Sequence, residues 1–505
     1  MGIKIKQDWR PSMNISTSFL ILMYFSNIIS ILAIIFIKRH DTRVPFAWLL
    51  VFFLLPYFGL ILYFFIGSTY RIRVMSRKYG MSEIEEKHNK ALYKQIHDIV
   101  ADKIQFNEIE TEKYRNLIML NSRNAMSFFT QNNNVELLID AQENFSRIFA
   151  DIEKATKSIE VLYYIFRAKD DIGKKFISLL EVKARQGVEV KLIYDGIGSL
   201  FTHMSDFDKL RKADGQVYRF LPSLFKSFLL INYRMHRKIV IIDGKIAYTG
   251  GINVGDEYFG LKKIHKPWRD TSIRLTGDSV LSLQTRFWTD LVFLQNQSFR
   301  KKNKAKAMFD EKILKSFNNP IEEGTQGVQI LSSGPSSRNE SIKDAYVKMI
   351  TSAKKYLYIQ SPYFVPDKTL LDALRIAAYS GVDVRIMLPG IPDKKYIYAI
   401  SLSYAAELLK YGVKVYLHSG FLHGKTIVID DHVSTVGTAN MDIRSFSLNY
   451  EVNAFIYNND FAIKCRDTFL DDMNDCIKFD IKTYHKRGMW KRFYEYIWRF
   501  FAPLA

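Results

Sequence analysis

The chain opens on two long apolar runs. Ser18 to Ile37 carries no charged residue over 20 positions, Val44 to Gly67 is a second uncharged stretch, and only KRHDTR separates them. About 20 apolar residues in a helix match the hydrocarbon core of a bilayer. The pattern therefore predicts a two-helix transmembrane hairpin over 1–67, with spans at 18–37 and 44–67. Pro56 and Gly59 lie inside the second run, where a soluble helix would suffer and a membrane helix tolerates them. A cleaved signal peptide would need a shorter run and a small-residue cleavage site. Residues 68–134 then turn polar, with a charged, helix-like pattern, and read as a juxtamembrane connector.

Beyond the connector the pattern repeats itself. ATKSIEVLYYIF at 155–166 is echoed by AKKYLYIQSPYF at 353–364, and RQGVEVKLIYDG at 185–196 by YSGVDVRIMLPG at 379–390. Helix-like stretches, FSRIFADIEK and DAYVKMITSA, precede the first pair. RMHRKIVIIDGKIAYTGG is matched by FLHGKTIVIDDHVSTVGT, and RFWTDL at 286–291 by TFLDDM at 468–473. Short β-branched runs such as KIVIID suit buried strands. The expected fold class is α/β: two repeated lobes at 135–298 and 326–480, each a β-sheet flanked by helices, related by a pseudo-twofold. A basic linker at 299–325 joins them, and an amphipathic segment at 481–505 ends the chain. In that segment Trp490, Tyr494, Ile497 and Phe501 recur at helical spacing beside Lys491, Arg492 and Arg499. Two readings stand: an interfacial helix on anionic lipid, or a helix packed against the second lobe.

Charge narrows the partners. Lys plus Arg number 72 against 52 Asp plus Glu, a net +20, which favours nucleic acid, an acidic bilayer or phosphate-bearing substrates. The spans argue for lipid and against nucleic acid. Seven basic residues flank the hairpin (Lys4, Lys6, Arg10, Arg71, Arg73, Arg77, Lys78) against three in its loop (Lys38, Arg39, Arg43). Both ends, and with them the lobes, are expected on the cytoplasmic side of a multi-pass protein of the cell membrane. The two cysteines, Cys465 and Cys476, cannot make a disulfide framework or a four-ligand zinc site. They read as packing residues on a helix-like stretch over 461–478. No histidine–carboxylate cluster has metal-ligand spacing, so neither metal nor cofactor is expected.

The chemistry-bearing residues also come in duplicate. His236-Arg-Lys238 precedes Asp243 by the spacing at which His423-Gly-Lys425 precedes Asp430. Fourteen residues beyond each histidine stands a glycine, Gly250 or Gly437, and three later an asparagine, Asn253 or Asn440. One His-x-Lys means little; two copies with matched spacing inside a repeat carry weight. On a strand, residues two apart share a face, so each His projects with its Lys. A pseudo-twofold brings both pairs to one seam suited to a phosphodiester monoanion. There Lys238, Lys425, Asn253 and Asn440 would bind phosphoryl oxygens. One histidine would attack phosphorus and the other serve as acid and base. A nucleophilic imidazole needs a carboxylate on its far nitrogen. Glu451, 28 residues beyond His423, and Asp270, 34 beyond His236, are the candidates. Asp243 and Asp430 are counted with the catalytic motifs, with a structural or lysine-positioning role expected.

These motifs, with GGIN at 250–253 and GTANMDIRSF at 437–446, resemble the phospholipase D superfamily. RMHRKIVIIDGKIAYTGGINVGDEY, SLNYEVN, the apolar hairpin and the terminal FFAPLA are similar to bacterial cardiolipin synthases in particular. The resemblance implies two phospholipase D-like lobes and a metal-independent ping-pong exchange. One phosphatidylglycerol would give its phosphatidyl group to the enzyme and release glycerol; a second would accept it. By analogy His236 would be the nucleophile and His423 the acid/base, although the internal symmetry permits the reverse. Gly424 stands where that family often has Ala, and Thr438 where Ser is usual. Alternatives keep the chemistry and change the acceptor, as in a membrane-bound phospholipase D or another phosphatidyltransferase. A scaffold without activity would not need a duplicated cationic seam. Phosphatidylglycerol and anionic bilayer lipids are the expected partners, and an oligomer is compatible with the sequence.

Overall fold

A computed structural model describes residues 82–220, 232–261, 268–297, 324–335, 337 and 339–501, with isolated positions between 21 and 63. The chain divides into two compact units, 1–68 with 500–505, and 69–499. The predicted spans at 18–37 and 44–67 fall almost wholly outside the described residues, as does most of the 299–325 linker. Among the described residues no helix is long and apolar enough to cross a membrane. Of the first unit, Ile21, Tyr24, Phe25, Ile28 and Leu32 are helical and exposed, while Phe52 is buried.

The second unit holds the repeat. The first-lobe strands are β1 (Asn133–Ile139), β2 (Ser158–Tyr163), β3 (Glu189–Asp195), β4 (Gln216–Phe220), β5 (Ile239–Ile242), β6 (Ile246–Gly250) and β7 (Thr271–Gly277). They form one sheet in the order β1-β7-β6-β5-β2-β3-β4. The second lobe supplies β8 (Gly327–Ser333), β9 (Tyr356–Gln360), β10 (Asp383–Pro389), β11 (Lys414–His418), β12 (Thr426–Ile429), β13 (Val433–Gly437) and β14 (Asn449–Tyr457). Their order, β8-β14-β13-β12-β9-β10-β11, repeats the first. Parallel pairs (β2–β3, β9–β10) adjoin antiparallel ones (β2–β5, β9–β12) in both lobes. The central strands are buried on both faces, which is why β5 reads IVII without polar alternation.

Helices 140–153 and 171–185 cover the outer face of the first sheet with Phe145, Ile148, Phe149 and Phe176. Helices 341–352 and 368–379 do the same for the second sheet with Ile342, Met349, Leu370 and Leu374. Asp367 caps the latter helix by accepting the Leu370 N–H at 3.0 Å. Between the sheets lie helices 279–297 and 459–472, and a single apolar core joins Leu162, Ile239 and Leu275 of one lobe to Val428, Val452 and Ile456 of the other. The lobes are therefore one body whose seam is set by shared packing.

Two expectations need correction. The connector is part of the second lobe: Ile99, Leu117, Ile118 and Phe129 enter its core, and Phe129–Thr130 adds an antiparallel strand to the edge of β8. Gln95 clamps that strand through both backbone groups of Phe129, at 2.7 and 3.0 Å. Cys476 opens the strand Cys476–Phe479 on the opposite edge of the same sheet, whereas Cys465 is buried on helix 459–472. The chain turns into a strand there because Ile477 and Phe479 pair with β11.

At the C-terminus, helix 489–501 packs one side against the second lobe. Glu495 is buried and paired with Arg487, Trp498 packs on Tyr396, and Arg499 bonds Glu407 and lies 3.9 Å over the Tyr404 ring. Trp490, Phe493, Tyr494, Tyr496 and Ile497 stay exposed on the remaining surface.

Phe129 tests the connector's place in the fold. It is 4% exposed and packs edge-on against Phe106 and Tyr457. Phe129→Ala is expected to destabilise the detergent-solubilised chain by about 3–5 kcal/mol in denaturant titration. A loss below about 1 kcal/mol, within the range of surface substitutions, would mean the connector is only draped on the lobe.

Candidate active site

Both His-x-Lys segments lie on extended chain just before β5 and β12, rather than within those strands. Backbone pairing across the lobes positions them. Arg234–Met235 runs parallel to β14 in the register Arg234↔Asn449, Met235↔Tyr450, and the His236 N–H continues it to the Tyr450 carbonyl at 3.0 Å. One step further places His236 beside Glu451. On the other side Arg269 bridges Leu422, and the His423 N–H reaches the Arg269 carbonyl at 2.7 Å. That register sets His423 beside Asp270.

The side chains follow. His236 Nδ1 lies 2.9 Å from Glu451 Oε2, and His423 Nδ1 lies 2.6 Å from Asp270 Oδ2. Each imidazole thus takes its carboxylate from the opposite lobe. An Nδ1–H donated to a carboxylate leaves the lone pair on Nε2. Glu451 also accepts from Thr438 Oγ1 at 2.6 Å and Asn449 Nδ2 at 3.1 Å, and Asp270 accepts from the Thr271 N–H at 2.7 Å. Each lysine ammonium donates to the carbonyl of its own motif histidine, Lys238 at 2.7 Å.

The seam is buried and crowded with cations. Burial first, then the charges of Lys238, Lys425 and His423, push His236 well below its ordinary value. Burial brings His423 down to about 4, Lys238 to about 7 and Lys425 to about 8. Burial lifts Glu451 to about 7 despite Lys238, Thr438 and Asn449 acting against it. Groups that interact this way share one small volume, and an anion entering it would favour protonation of both lysines.

The remaining predicted residues divide. Asn253 is buried, with Oδ1 accepting the Ile165 N–H at 3.1 Å and Nδ2 donating to Tyr258, so most of its bonding capacity holds a loop. Asn440 is buried with its Oδ1 unpaired. Asp243 and Asp430 do not reach the seam. They sit past the far ends of β5 and β12, about 16 Å of strand from the lysines at ~3.3 Å per residue. Asp243 accepts the N–H groups of Thr156, Lys157 and Ser158; Asp430 accepts those of Lys354, Lys355 and Tyr356. Both are in left-handed turns, at φ 54° and 51°. Their place in the catalytic set is corrected: these carboxylates pin β2 and β9 to the sheet. Among the described residues no group of three or more His, Cys, Asp or Glu is placed to hold a metal ion.

Comparison with known proteins shows the family. The family described as "Cardiolipin synthase, PLD-like domain" matches residues 148–263 and 346–473, and "Phospholipase_D-nuclease N-terminal" matches 27–68. The major cardiolipin synthase of Bacillus subtilis is 42% identical over 97% of this chain and 100% of its own length. A cardiolipin synthase of Listeria welshimeri is 40% identical over 96% and 98%. The chain belongs to the bacterial cardiolipin synthases of the phospholipase D superfamily. It is accordingly an enzyme, a phosphatidyltransferase of phospholipid biosynthesis. A crystal structure of phosphatidylserine synthase from Haemophilus influenzae shares the fold, with TM-score 0.57 at 15% identity over 76% of this chain and 97% of that one.

Within this cardiolipin synthase several supporting residues escaped the motif search. Arg237, the middle residue of the first motif, is buried. It bonds both Asp290 oxygens at 2.7 and 2.6 Å, the Glu451 carbonyl at 3.0 Å and the Ser333 carbonyl at 3.1 Å. In the other lobe Asp472 receives Arg269 Nε and Gln360 Nε2, each at 2.7 Å. Asp290 and Asp472 occupy equal places in RFWTDL and TFLDDM, so the echoing tails were the available signal. Gly251 is required by contact: a Cβ there would come within 2.0 Å of Asp270 Oδ1. The matching position in the second lobe is Thr438, which donates to Glu451. The departure at Gly424 is mild, since an added Cβ would meet Gln360 Oε1 at 3.2 Å and Thr271 Oγ1 at 3.4 Å.

Two substitutions probe this support. Gly251→Ala is expected to displace the Asp270 carboxylate and lower turnover by at least tenfold, roughly one hydrogen bond to a charged group, with the protein still folded; wild-type turnover would refute the contact. Asp290→Ala leaves the Arg237 guanidinium buried and unpaired, a loss of roughly 3–5 kcal/mol. A thermal-shift series in detergent would show it, and an unchanged midpoint would discount the pair.

Proposed function

We propose that the seam carries out a two-step phosphatidyl exchange between two phosphatidylglycerol molecules. In the first step an imidazole Nε2 attacks phosphorus. The N–P bond forms, the P–O bond to glycerol breaks, and the second histidine, as imidazolium, gives its proton to the departing oxygen. In the second step that imidazole takes the proton from the hydroxyl of another phosphatidylglycerol. The new O–P bond forms as N–P breaks, giving cardiolipin and restoring the enzyme. Lys238, Lys425 and Asn440, with the remaining amide hydrogen of Asn253, would steady the phosphoryl oxygens. By family analogy His236 takes the covalent role and His423 the proton. The observation that carries the reading is the crossed pairing of each motif histidine with a buried carboxylate of the other lobe.

The hairpin at 18–37 and 44–67 is assigned here as the membrane anchor, with the lobes on the cytoplasmic face. The exposed apolar side chains of Ile21, Tyr24, Phe25, Ile28 and Leu32 support it, because water disfavours such a surface. The open aromatic face of helix 489–501, with exposed Lys491, supports contact with an anionic lipid interface.

The test is an assay of purified protein in detergent–phosphatidylglycerol micelles that resolves lipids and free glycerol. Cardiolipin with about equimolar glycerol, as a covalent exchange requires, is expected; phosphatidic acid instead would make water the acceptor. His236→Ala and His423→Ala should each cut turnover by at least about a hundredfold, and near-normal activity in either would sink the paired mechanism. Excess EDTA should leave the rate largely unchanged, whereas a loss restored by one divalent ion would overturn the metal-free reading.

The pH profile tests the lysines. An ammonium is charged below its pKa, and Lys238 and Lys425 lie at about 7 and about 8 in the free enzyme. kcat/KM for phosphatidylglycerol should therefore fall as pH rises through that window. A free-enzyme rate that stays flat to about pH 9, beyond both values, would remove these lysines from phosphate binding.

A further inference from the structure

The repeat is broken on the two flanks of the seam, and the break is chemical. Two residues before His423 stands Phe421, which with Trp268 and Tyr258 surrounds that imidazole at ring distances of 5.8, 5.1 and 5.9 Å. Two residues before His236 the chain carries Arg234 instead. Four residues after Asn253 stands Glu257, close to Arg167 at 3.6 Å; four after Asn440 stands Arg444. Both departures put a guanidinium on the His236 flank.

The two arginines converge there. Arg444 Nη2 donates to the Asn232 carbonyl at 2.9 Å, two residues from Arg234. Arg234 acts electrostatically on Tyr164, whose ring lies 4.7 Å from the His236 ring. Arg444 acts electrostatically on both Arg234 and His236. Among the described residues neither forms an ion pair with a carboxylate, whereas Arg237 pairs with Asp290, Arg269 with Asp472 and Arg274 with Asp151. The carboxylates that act on them, Asp195 on Arg234 and Asp442 on Arg444, are themselves held by backbone N–H groups, so the two guanidiniums keep donors that an anion can take. The fold does not demand them, because the other lobe builds the same elements with Phe421 and Glu257.

We propose that Arg234 and Arg444 form a second anion subsite, which binds the non-reacting phosphodiester of the acceptor lipid. The inference rests on the phosphatidyl exchange above and adds the basis of acceptor choice. Joining two phosphatidyl groups through one glycerol brings two phosphodiester anions to the ends of a three-carbon bridge. The first lies over the histidines and lysines. The second carries the same charge and needs its own cations. Water and free glycerol carry no phosphate and gain nothing from the pair. The arginines and both histidines share one seam, so the subsite serves either assignment of the histidines.

Two reactions of the full-length enzyme separate this subsite from the catalytic seam. Exchange of labelled glycerol into phosphatidylglycerol uses a neutral acceptor; cardiolipin formation uses an anionic one. In Arg444→Gln and Arg234→Gln the ratio of cardiolipin formation to glycerol exchange should fall about tenfold or more, with phosphatidic acid rising as water takes the diverted intermediate. Arg444→Lys, which keeps the charge, should recover part of that ratio. An unchanged ratio, whether both reactions persist or both fall together, would overturn the proposal. Competition by millimolar inorganic phosphate against the acceptor, abolished in the Gln variants with the ratio intact, would assign the pair to free phosphate and overturn the lipid assignment. Wild-type protein that makes no cardiolipin while still exchanging glycerol would overturn the exchange reading and this one with it; cardiolipin made equally well by all variants would overturn the subsite alone.

Discussion

Everything at the site depends on a one-residue register between the lobes. Arg234–Met235 runs beside Asn449–Tyr450, and Arg269 beside Leu422, so the next residue on each chain faces a residue of opposite chemistry across the seam. His236 meets Glu451 and His423 meets Asp270. In a parallel register a slip of one residue would turn each carboxylate to the other face. A histidine without its carboxylate would remain buried among cations with no preferred tautomer. Catalytic geometry and lobe assembly are consequently the same constraint: neither lobe alone contains a complete histidine–carboxylate pair.

That constraint explains where buried polar groups are placed. Arg237 would be an expensive residue in the seam if it were unpaired, yet it joins Asp290 of the central helix to the carbonyls of Glu451 and Ser333. One side chain thereby connects the first motif, the helix between the sheets and the second lobe's carboxylate strand. Arg269 does the corresponding work beside Asp270 through Asp472. Buried pairs of this kind add little stability over an apolar substitute. Their effect is on position, which is what a reaction sensitive to small displacements needs.

Much of this was legible in the sequence because duplication converts weak motifs into strong ones. The doubled spacing of His, Lys, Gly and Asn predicted two lobes meeting at one seam, and the strand orders of the two sheets agree. The carboxylates Asp270 and Glu451 were found by their strand positions, but counting along the chain cannot tell which histidine each will meet, since the pairing is made between lobes. Asp243 and Asp430 were drawn into the catalytic set by the motif's spacing; their left-handed turns, and the backbone N–H groups they accept, lie at the opposite strand ends. The connector was unreadable for a related reason. Its helices carry ordinary amphipathic patterns, and the partners that bury Leu117 and Phe129 lie some two hundred residues away, as in the Phe129↔Gln329 register.

Symmetry supplies the seam, and departures from symmetry give it direction. A twofold site that handled both substrates identically would hold two phosphates with equal affinity on either flank, and would have no reason to keep an acceptor lipid while rejecting water. Here one flank is aromatic, with Trp268 and Phe421 4.4 Å apart beside His423, and the other carries Arg234 and Arg444 beside His236. Aromatic rings exclude water and shape a cavity without favouring either protonation state strongly, whereas guanidiniums favour anions through a fixed planar geometry. The shared fold of the lobes can therefore position the reacting phosphorus symmetrically while the flanks distinguish what leaves from what arrives. Selection of an anionic acceptor over water in such a site needs no lid; it needs positive charge on one side of a buried seam, and the repeat places that charge at two positions where its other copy has Phe421 and Glu257.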